Sequence, residues 1–304
     1  MRILNGIENA SRKISPSNKQ GRLRKIIMHK YVSSFLLFGI FSFFFCTSAD
    51  AKHTHEMLLG VLWKQASVES KMATEQAFHL AKLNVEKALR DPYWTAALEQ
   101  KGDVHRLPPA IIVDVDETVL DNAPFAARLV KSKKEYNSKL WEIWVKESNA
   151  DAMPGAKSFI RYVKEKGIAV FYVTNRVLKA AAVKNIKSVV DPDVTSDHVL
   201  CKNERPDWGS DKTSRRERIV KKYRVLQLVG DDYNDFTFLG KISAADRISA
   251  VKKHRQYWGS KWILISNPLY GSWKRTLLDN DYSMTAEDKL KKKYQYLNTK
   301  ALSR

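Results

Sequence analysis

Asp114 and Asp116 stand two positions apart, at the end of the apolar run Ala110-Ile111-Ile112-Val113. Where a chain curls away from the end of a strand, this spacing can aim both carboxylates toward one site. Two acids so close repel each other, which is costly unless a cation neutralises them. A second apolar run, Ala169-Val170-Phe171-Tyr172-Val173, ends in Thr174-Asn175-Arg176. A third, Val225-Leu226-Gln227-Leu228-Val229, ends in Gly230-Asp231-Asp232, with Asp235 close behind. Asp114, Asp116, Asp231 and Asp235 together supply four carboxylates. Hard oxygen donors with no accompanying His or Cys cluster favour Mg2+ over zinc.

The elements that must position these groups can be read from the same runs. Short, nearly continuous apolar runs rich in Val and Ile suit strands buried on both faces, as in a parallel sheet. A fourth, Trp262-Ile263-Leu264-Ile265, follows later. In open α/β sheets the ligand site lies beyond the carboxyl ends of the strands. One Asp after a strand is often only a helix cap, but three polar strand ends converge on one edge here. Upstream, residues 53–100 read as helical, with apolar residues at three- and four-residue steps: Leu58, Leu62, Ala66, then Ala77, Ala81, Val85, Ala88. Trp63 and Trp94 are expected in the core. Leu107-Pro108-Pro109 breaks the chain. The expected fold class is α/β: a Rossmann-type parallel sheet flanked by helices, with a smaller helical region from the N-terminal segment and insertions.

The whole chain has 304 residues, 44% hydrophobic and 11% aromatic, which excludes a disordered chain. Two Cys exclude a disulfide scaffold. Residues 35–46, FLLFGIFSFFFC, follow a basic flank and precede Thr47-Ser48-Ala49-Asp50-Ala51. Basic flank, short apolar run and Ala-x-Ala site describe a signal peptide cut between Ala51 and Lys52, giving a periplasmic or secreted protein. Met28 is an alternative start. Cys46 follows Phe45 rather than a small residue, so no lipid anchor is expected. Lys and Arg number 53 against 33 Asp and Glu, a net charge of +20. Losing residues 1–51 removes eight basic and two acidic residues and leaves +14. Such charge favours anionic partners. The expected division is 1–51 signal peptide, 52–107 helical segment, 108–280 core and 281–304 basic tail, helical after Ala286.

The string Ile112-Val113-Asp114-Val115-Asp116-Glu117-Thr118-Val119-Leu120-Asp121-Asn122, with Gly230–Phe236, resembles the haloacid dehalogenase superfamily of phosphohydrolases, and within it the bacterial class C acid phosphatases, the lipoprotein e-type 5′-nucleotidases. Met153-Pro154-Gly155-Ala156, Val170–Arg176 and Asn267-Pro268-Leu269-Tyr270-Gly271-Ser272-Trp273 also fit, so the resemblance spans most of residues 55–275. Most superfamily members have Gly after the second Asp; here it is Glu117. Phe125 stands where the family usually has Tyr, and Asp232-Tyr233 replace the usual Asn-Leu.

The resemblance implies phosphomonoester hydrolysis through an aspartyl-phosphate. It makes Asp114 the nucleophile and Asp116 the general acid and base. Asp114, Asp231, Asp235 and the backbone carbonyl of Asp116 would hold Mg2+. Thr174 and Lys212 would bind phosphoryl oxygens, with Lys202 and Arg205 competing for the latter role; a helix is expected to begin near Ser214. Asn175 and Arg176 either line the site or only shape the turn. Aromatic residues at Trp141 and Tyr270 would stack on a nucleoside, which points to nucleoside 5′-monophosphates, including nicotinamide mononucleotide, as substrates. Trp144 and Trp273 are expected in the core. A homodimer is compatible with this reading. Two other functions stay open: a phosphatase of nucleic-acid ends, and a non-catalytic surface-binding or storage protein on the same scaffold.

Overall fold

In the computed structural model, which describes residues 54–300, the four apolar runs become strands. In chain order the strands are β1 (Pro109–Val113), the short β2 (Leu120–Asp121) and β3 (Asp151–Ala152), β4 (Ala169–Thr174), β5 (Val199–Cys201), β6 (Arg224–Gly230) and β7 (Trp262–Leu264). Five of them form one sheet in the order β5-β4-β1-β6-β7, and every pairing in it is parallel. β2 and β3 pair antiparallel, Leu120 opposite Ala152. β1 lies at the centre, between β4 and β6. The three strands with polar ends are therefore neighbours, and their carboxyl ends share one edge.

The helices are α1 (Leu58–Ala66), α2 (Val68–Arg90), α3 (Ala123–Ser132), α4 (Ser138–Glu147), α5 (Ala156–Glu165), α6 (Lys179–Val189), α7 (Thr213–Val220), α8 (Ala244–Lys253), α9 (Ser272–Thr276) and α10 (Ala286–Tyr294). Alternate residues of each central strand face opposite layers, as a pleat with a period of two requires. Ile111, Val113, Val170 and Tyr172 pack with Phe78, Ala81 and Val85 of α2 and Phe159, Ile160 and Val163 of α5. Ala110, Ile112, Phe171 and Val173 pack on the other side with Trp208, Ile219, Phe236 and Trp262.

Two expectations about the N-terminal helices are revised. Helix does not run through residue 100: α2 ends at Arg90, and Asp91 is extended (φ −99°) because it precedes Pro92, which disfavours helical backbone. The chain then runs beside β6, where the Ala96 N–H donates to the Val225 carbonyl at 2.8 Å. In α1 the buried residues are Val61 and Lys64, not the Leu58, Leu62, Ala66 stripe. Val61 packs against Ala123, Ala126 and Leu269, which leaves Leu62 half exposed. Trp94 is partly buried against the core and donates to the Leu226 carbonyl at 2.8 Å. The Lys-rich tail forms α10, as expected. The expected signal peptide, its cleavage site, Met28 and Cys46 lie outside the described residues. No helix among the described residues is long and apolar enough to cross a membrane.

Candidate active site

Asp114 follows β1 directly, and its N–H donates to the Val229 carbonyl of β6 at 2.9 Å, so two central strands fix it. Its carboxylate meets Asp231 and Asp235, which follow β6, with ligand oxygens all within 4.8 Å of one another. Asp235 belongs to a single 3-10 turn, where its carboxylate accepts the Asp232 N–H at 2.9 Å. Lys212, at the start of α7, is buried and donates to Asp114 and, at 2.7 Å, to Asp235. One lysine thus serves two of the three acids. Burial pushes the Asp114 carboxyl up to about 7; Asp235 and Asp116 add to this and Lys212 opposes it. Burial, then Asp235 and Asp114, raises Asp231 well above the ordinary carboxylate range. Burial works against the Lys212 ammonium, yet Asp114 and Asp235 hold its pKa above the ordinary lysine value. Three mutually repelling oxygen donors with one cation between them fit a hard divalent metal ion.

Asp116 points its side chain elsewhere. Its Oδ1 accepts from Arg176 Nε at 2.9 Å and Nη2 at 2.7 Å, and from Asn122 Nδ2 at 2.9 Å. Asn122 is the hub of this second group. Its Oδ1 accepts from Trp144 Nε1 (2.7 Å) and Arg176 Nη2 (3.1 Å), and its N–H and amide donate to the Glu117 carboxyl. Glu117 has φ +56°, in the left-handed region that glycine adopts without cost. That explains the Gly found at this place in most of the superfamily, and the Asn122 bonds hold Glu117 there instead.

Thr174 ends β4, fully buried; its Oγ1 accepts the Arg176 N–H at 3.0 Å. Asn175 Nδ2 donates to the Ser210 carbonyl at 3.2 Å, and its Oδ1 accepts from Arg215 at 2.9 Å. Lys202 is bonded through its backbone N–H to Thr174 and Arg176, and Arg205 stacks over Trp208 at 5.1 Å, so Lys212 is the lysine the fold brings to the carboxylates. Trp141 lies 5.6 Å from the Arg176 guanidinium and 5.2 Å from Phe125. Trp144 is buried as expected. Trp273 is not: it is 38% exposed, close to the 37% of Tyr270, because its short helix α9 caps a surface loop.

Three contributors escaped the sequence reading. Arg215, fully buried in α7, donates to the Thr174, Gly209 and Asp211 carbonyls and so ties the β4 end to the Lys212 loop. Arg216 pairs with Glu99 and donates to the Asp235 carbonyl at 3.1 Å. Asn267 donates to Asp231 at 2.8 Å. In the one-letter string Ser-Arg-Arg-Glu-Arg reads as a solvated charge run; only the helix phase decides which arginines turn inward.

A parallel α/β sheet whose central strands end in a carboxylate pair, a threonine and a Gly-Asp turn, with a lysine at the start of the helix that precedes the Gly-Asp strand, defines a phosphohydrolase scaffold of the haloacid dehalogenase type. The chain belongs to the haloacid dehalogenase superfamily, subfamily IIIB (acid phosphatase), whose family model matches residues 44–273. It is similar to the class C acid phosphatase from Bacillus anthracis, at 31% identity and a TM-score of 0.71, over 81% of this chain and 98% of that one. The same figures hold for that enzyme with tungstate bound. Two soybean (Glycine max) proteins, the stem 28 kDa and stem 31 kDa glycoproteins, are 25% identical over 129 residues, which is 41% of this chain. The chain spans about half the length of these curated relatives, 51% and 44%.

Proposed function

We propose that this protein is an exported, Mg2+-dependent acid phosphatase that hydrolyses phosphomonoesters through an aspartyl-phosphate on Asp114, with nucleoside 5′-monophosphates, nicotinamide mononucleotide included, as its preferred substrates. The observation that carries the reading is the cluster of the buried Asp114 and Asp235, both bonded to Lys212, with the half-buried Asp231. Asp114, Asp231, Asp235 and the carbonyl of Asp116 would hold the metal ion, which would offset the charge of phosphate against carboxylate.

An Asp114 oxygen attacks phosphorus as the bond to the leaving oxygen breaks. Asp116 gives its proton to that oxygen. It then takes a proton from the water that attacks phosphorus, which breaks the bond to Asp114 and frees phosphate. The hydrogen bonds to Asp116 all converge on Oδ1, so among the described residues Oδ2 is the oxygen left to carry the proton. Thr174 Oγ1 and Lys212 Nζ serve as donors to phosphoryl oxygens. The Bacillus anthracis relative binds tungstate, a tetrahedral oxyanion like phosphate, which supports oxyanion binding by this chain. Trp141 and Tyr270 serve the nucleoside by stacking, Asn175 and Arg176 shape the wall beside it, and residues 108–280 form the catalytic core.

The test is phosphate release by the chain from Lys52 onward with nicotinamide mononucleotide, AMP and a small aryl phosphate, beside Asp114→Asn. Turnover should stop with EDTA and fall by roughly a thousandfold or more in the variant. Undiminished turnover by Asp114→Asn would remove the nucleophile and the reading. Sequencing the N-terminus of exported protein tests the processing: it should begin at Lys52.

A further inference from the structure

The loop 267–273 is pinned at three places. Asn267 Nδ2 donates to Asp231 at 2.8 Å, and its Oδ1 accepts the Leu269 N–H at 2.9 Å. Leu269 is buried with Val61, Ala123 and Ala126, in a space that Gly60 leaves open: a Cβ there would come within 3.0 Å of Leu269. At the far end Asp232 takes two bonds from one residue, Ser272 N–H on Oδ2 and Ser272 Oγ on Oδ1, each at 2.5 Å. Gly271 makes that approach possible. Its φ is +148°, and a Cβ would stand 2.9 Å from Asp232 Oδ2. Asp232 is braced in turn by the Asn234 N–H at 2.9 Å and by Arg247 of α8 at 3.6 Å.

Tyr270 stands between the last two pins and Trp273 directly after the last; both rings are exposed, and a bond from Trp273 Nε1 to the Tyr270 carbonyl at 3.2 Å joins them. Tyr270 is three residues from Asn267, so its backbone lies within about 10 Å of the residue that touches the carboxylate cluster. A loop tethered this often, with exposed aromatic faces at its tip, is built to hold those faces still. A surface held still before binding loses less freedom when a flat partner stacks on it. An amide has one acceptor oxygen; the Asp232 carboxylate has two, and Ser272 uses both.

We propose that Asp232 and Ser272 are positioning residues that set the preference for leaving groups carrying a flat ring, by fixing loop 267–273 and with it Tyr270 and Trp273. This deepens the phosphatase reading above and rests on it.

The experiment compares kcat and KM on AMP and on glycerol 2-phosphate, which has no ring, for wild type, Ser272→Ala, Ser272→Thr and Asp232→Asn, all with Mg2+. Ser272→Ala keeps the backbone bond to Asp232, so the loop loses one tether and the fold is kept. Its KM for AMP should rise about five- to tenfold, while both constants for glycerol 2-phosphate stay within about twofold. Ser272→Thr keeps the hydroxyl and should restore the AMP value; Asp232→Asn should fall between. Equal changes on both substrates, or none, overturn the inference and leave the phosphatase reading standing. A wild type with the same KM for both substrates overturns ring recognition and this inference with it. A wild type silent on both overturns the phosphatase reading itself.

Discussion

Glu117 carries a carboxyl with no exposed surface. Burial, with Asp116 adding to it, pushes its pKa up to about 8, against Lys64 and the two bonds from Asn122. A carboxyl whose pKa is raised on folding stabilises the fold most below the ordinary Glu value, and that contribution is lost as pH rises toward the folded value. Wild type should therefore lose stability through this group between about pH 5 and about pH 8. Glu117→Gln, neutral throughout, should not. Urea unfolding at both ends of that range should show the difference between the two proteins moving in favour of the variant by roughly 2–4 kcal/mol, since each tenfold change in proton affinity is worth about 1.4 kcal/mol. A difference that does not change with pH would mean that Glu117 ionises without cost. The residue type at 117 was plain in the sequence, where it departs from the superfamily's Gly; the positive φ that makes the departure consequential was not.

At the scale of elements, β6 must end beside the turn that carries Asp235, and Gly230 leaves the room. A Cβ at Gly230 would fall 2.5 Å from Asp235 Cβ and 2.3 Å from its Oδ2, too close for any side chain to be accommodated without a shift. Gly230→Ala should move Asp235 out of the carboxylate cluster and away from Lys212. The expected cost is roughly tenfold or more in Mg2+ affinity and about 1–3 kcal/mol in stability, read by calorimetric titration and by chemical unfolding. Gly209, beside which a Cβ would meet nothing within 4 Å, is the control: Gly209→Ala should leave both values unchanged. Similar losses in the two variants would mean that crowding of Asp235 is not their cause. The strands that frame this turn were legible because β1, β4 and β6 are buried on both faces and so leave unbroken apolar runs. β5 and the β2–β3 pair were missed, since two or three residues make no pattern. The helix expected to reach residue 100 stops before Pro92. Arg176, Arg215 and Arg216 were illegible as buried residues, because their burial depends on acceptors far away in sequence: Asp116, the Thr174 carbonyl and Glu99.

Over the whole molecule the charge is lopsided, +20 for the full chain and +14 from Lys52 onward. Near the carboxylates the balance is kept by Lys212 and by Arg176, Arg215 and Arg216, all buried, and these are not free to draw in a substrate from solution. The long-range attraction must come from the exposed remainder, such as Arg205, Arg218, Lys252 and Lys253. Charges of that kind act through water and are screened over about 10 Å at 0.1 M salt. They raise the rate at which a phosphate dianion arrives and leave the bound chemistry alone. Raising ionic strength from about 20 to about 300 mM should therefore lower kcat/KM for AMP by about three- to tenfold with little change in kcat. Chloride and acetate at equal ionic strength should give the same fall. If kcat falls while KM holds, salt acts on a step after capture, and if chloride acts and acetate does not, chloride is binding to the protein; either outcome removes surface charge from substrate capture.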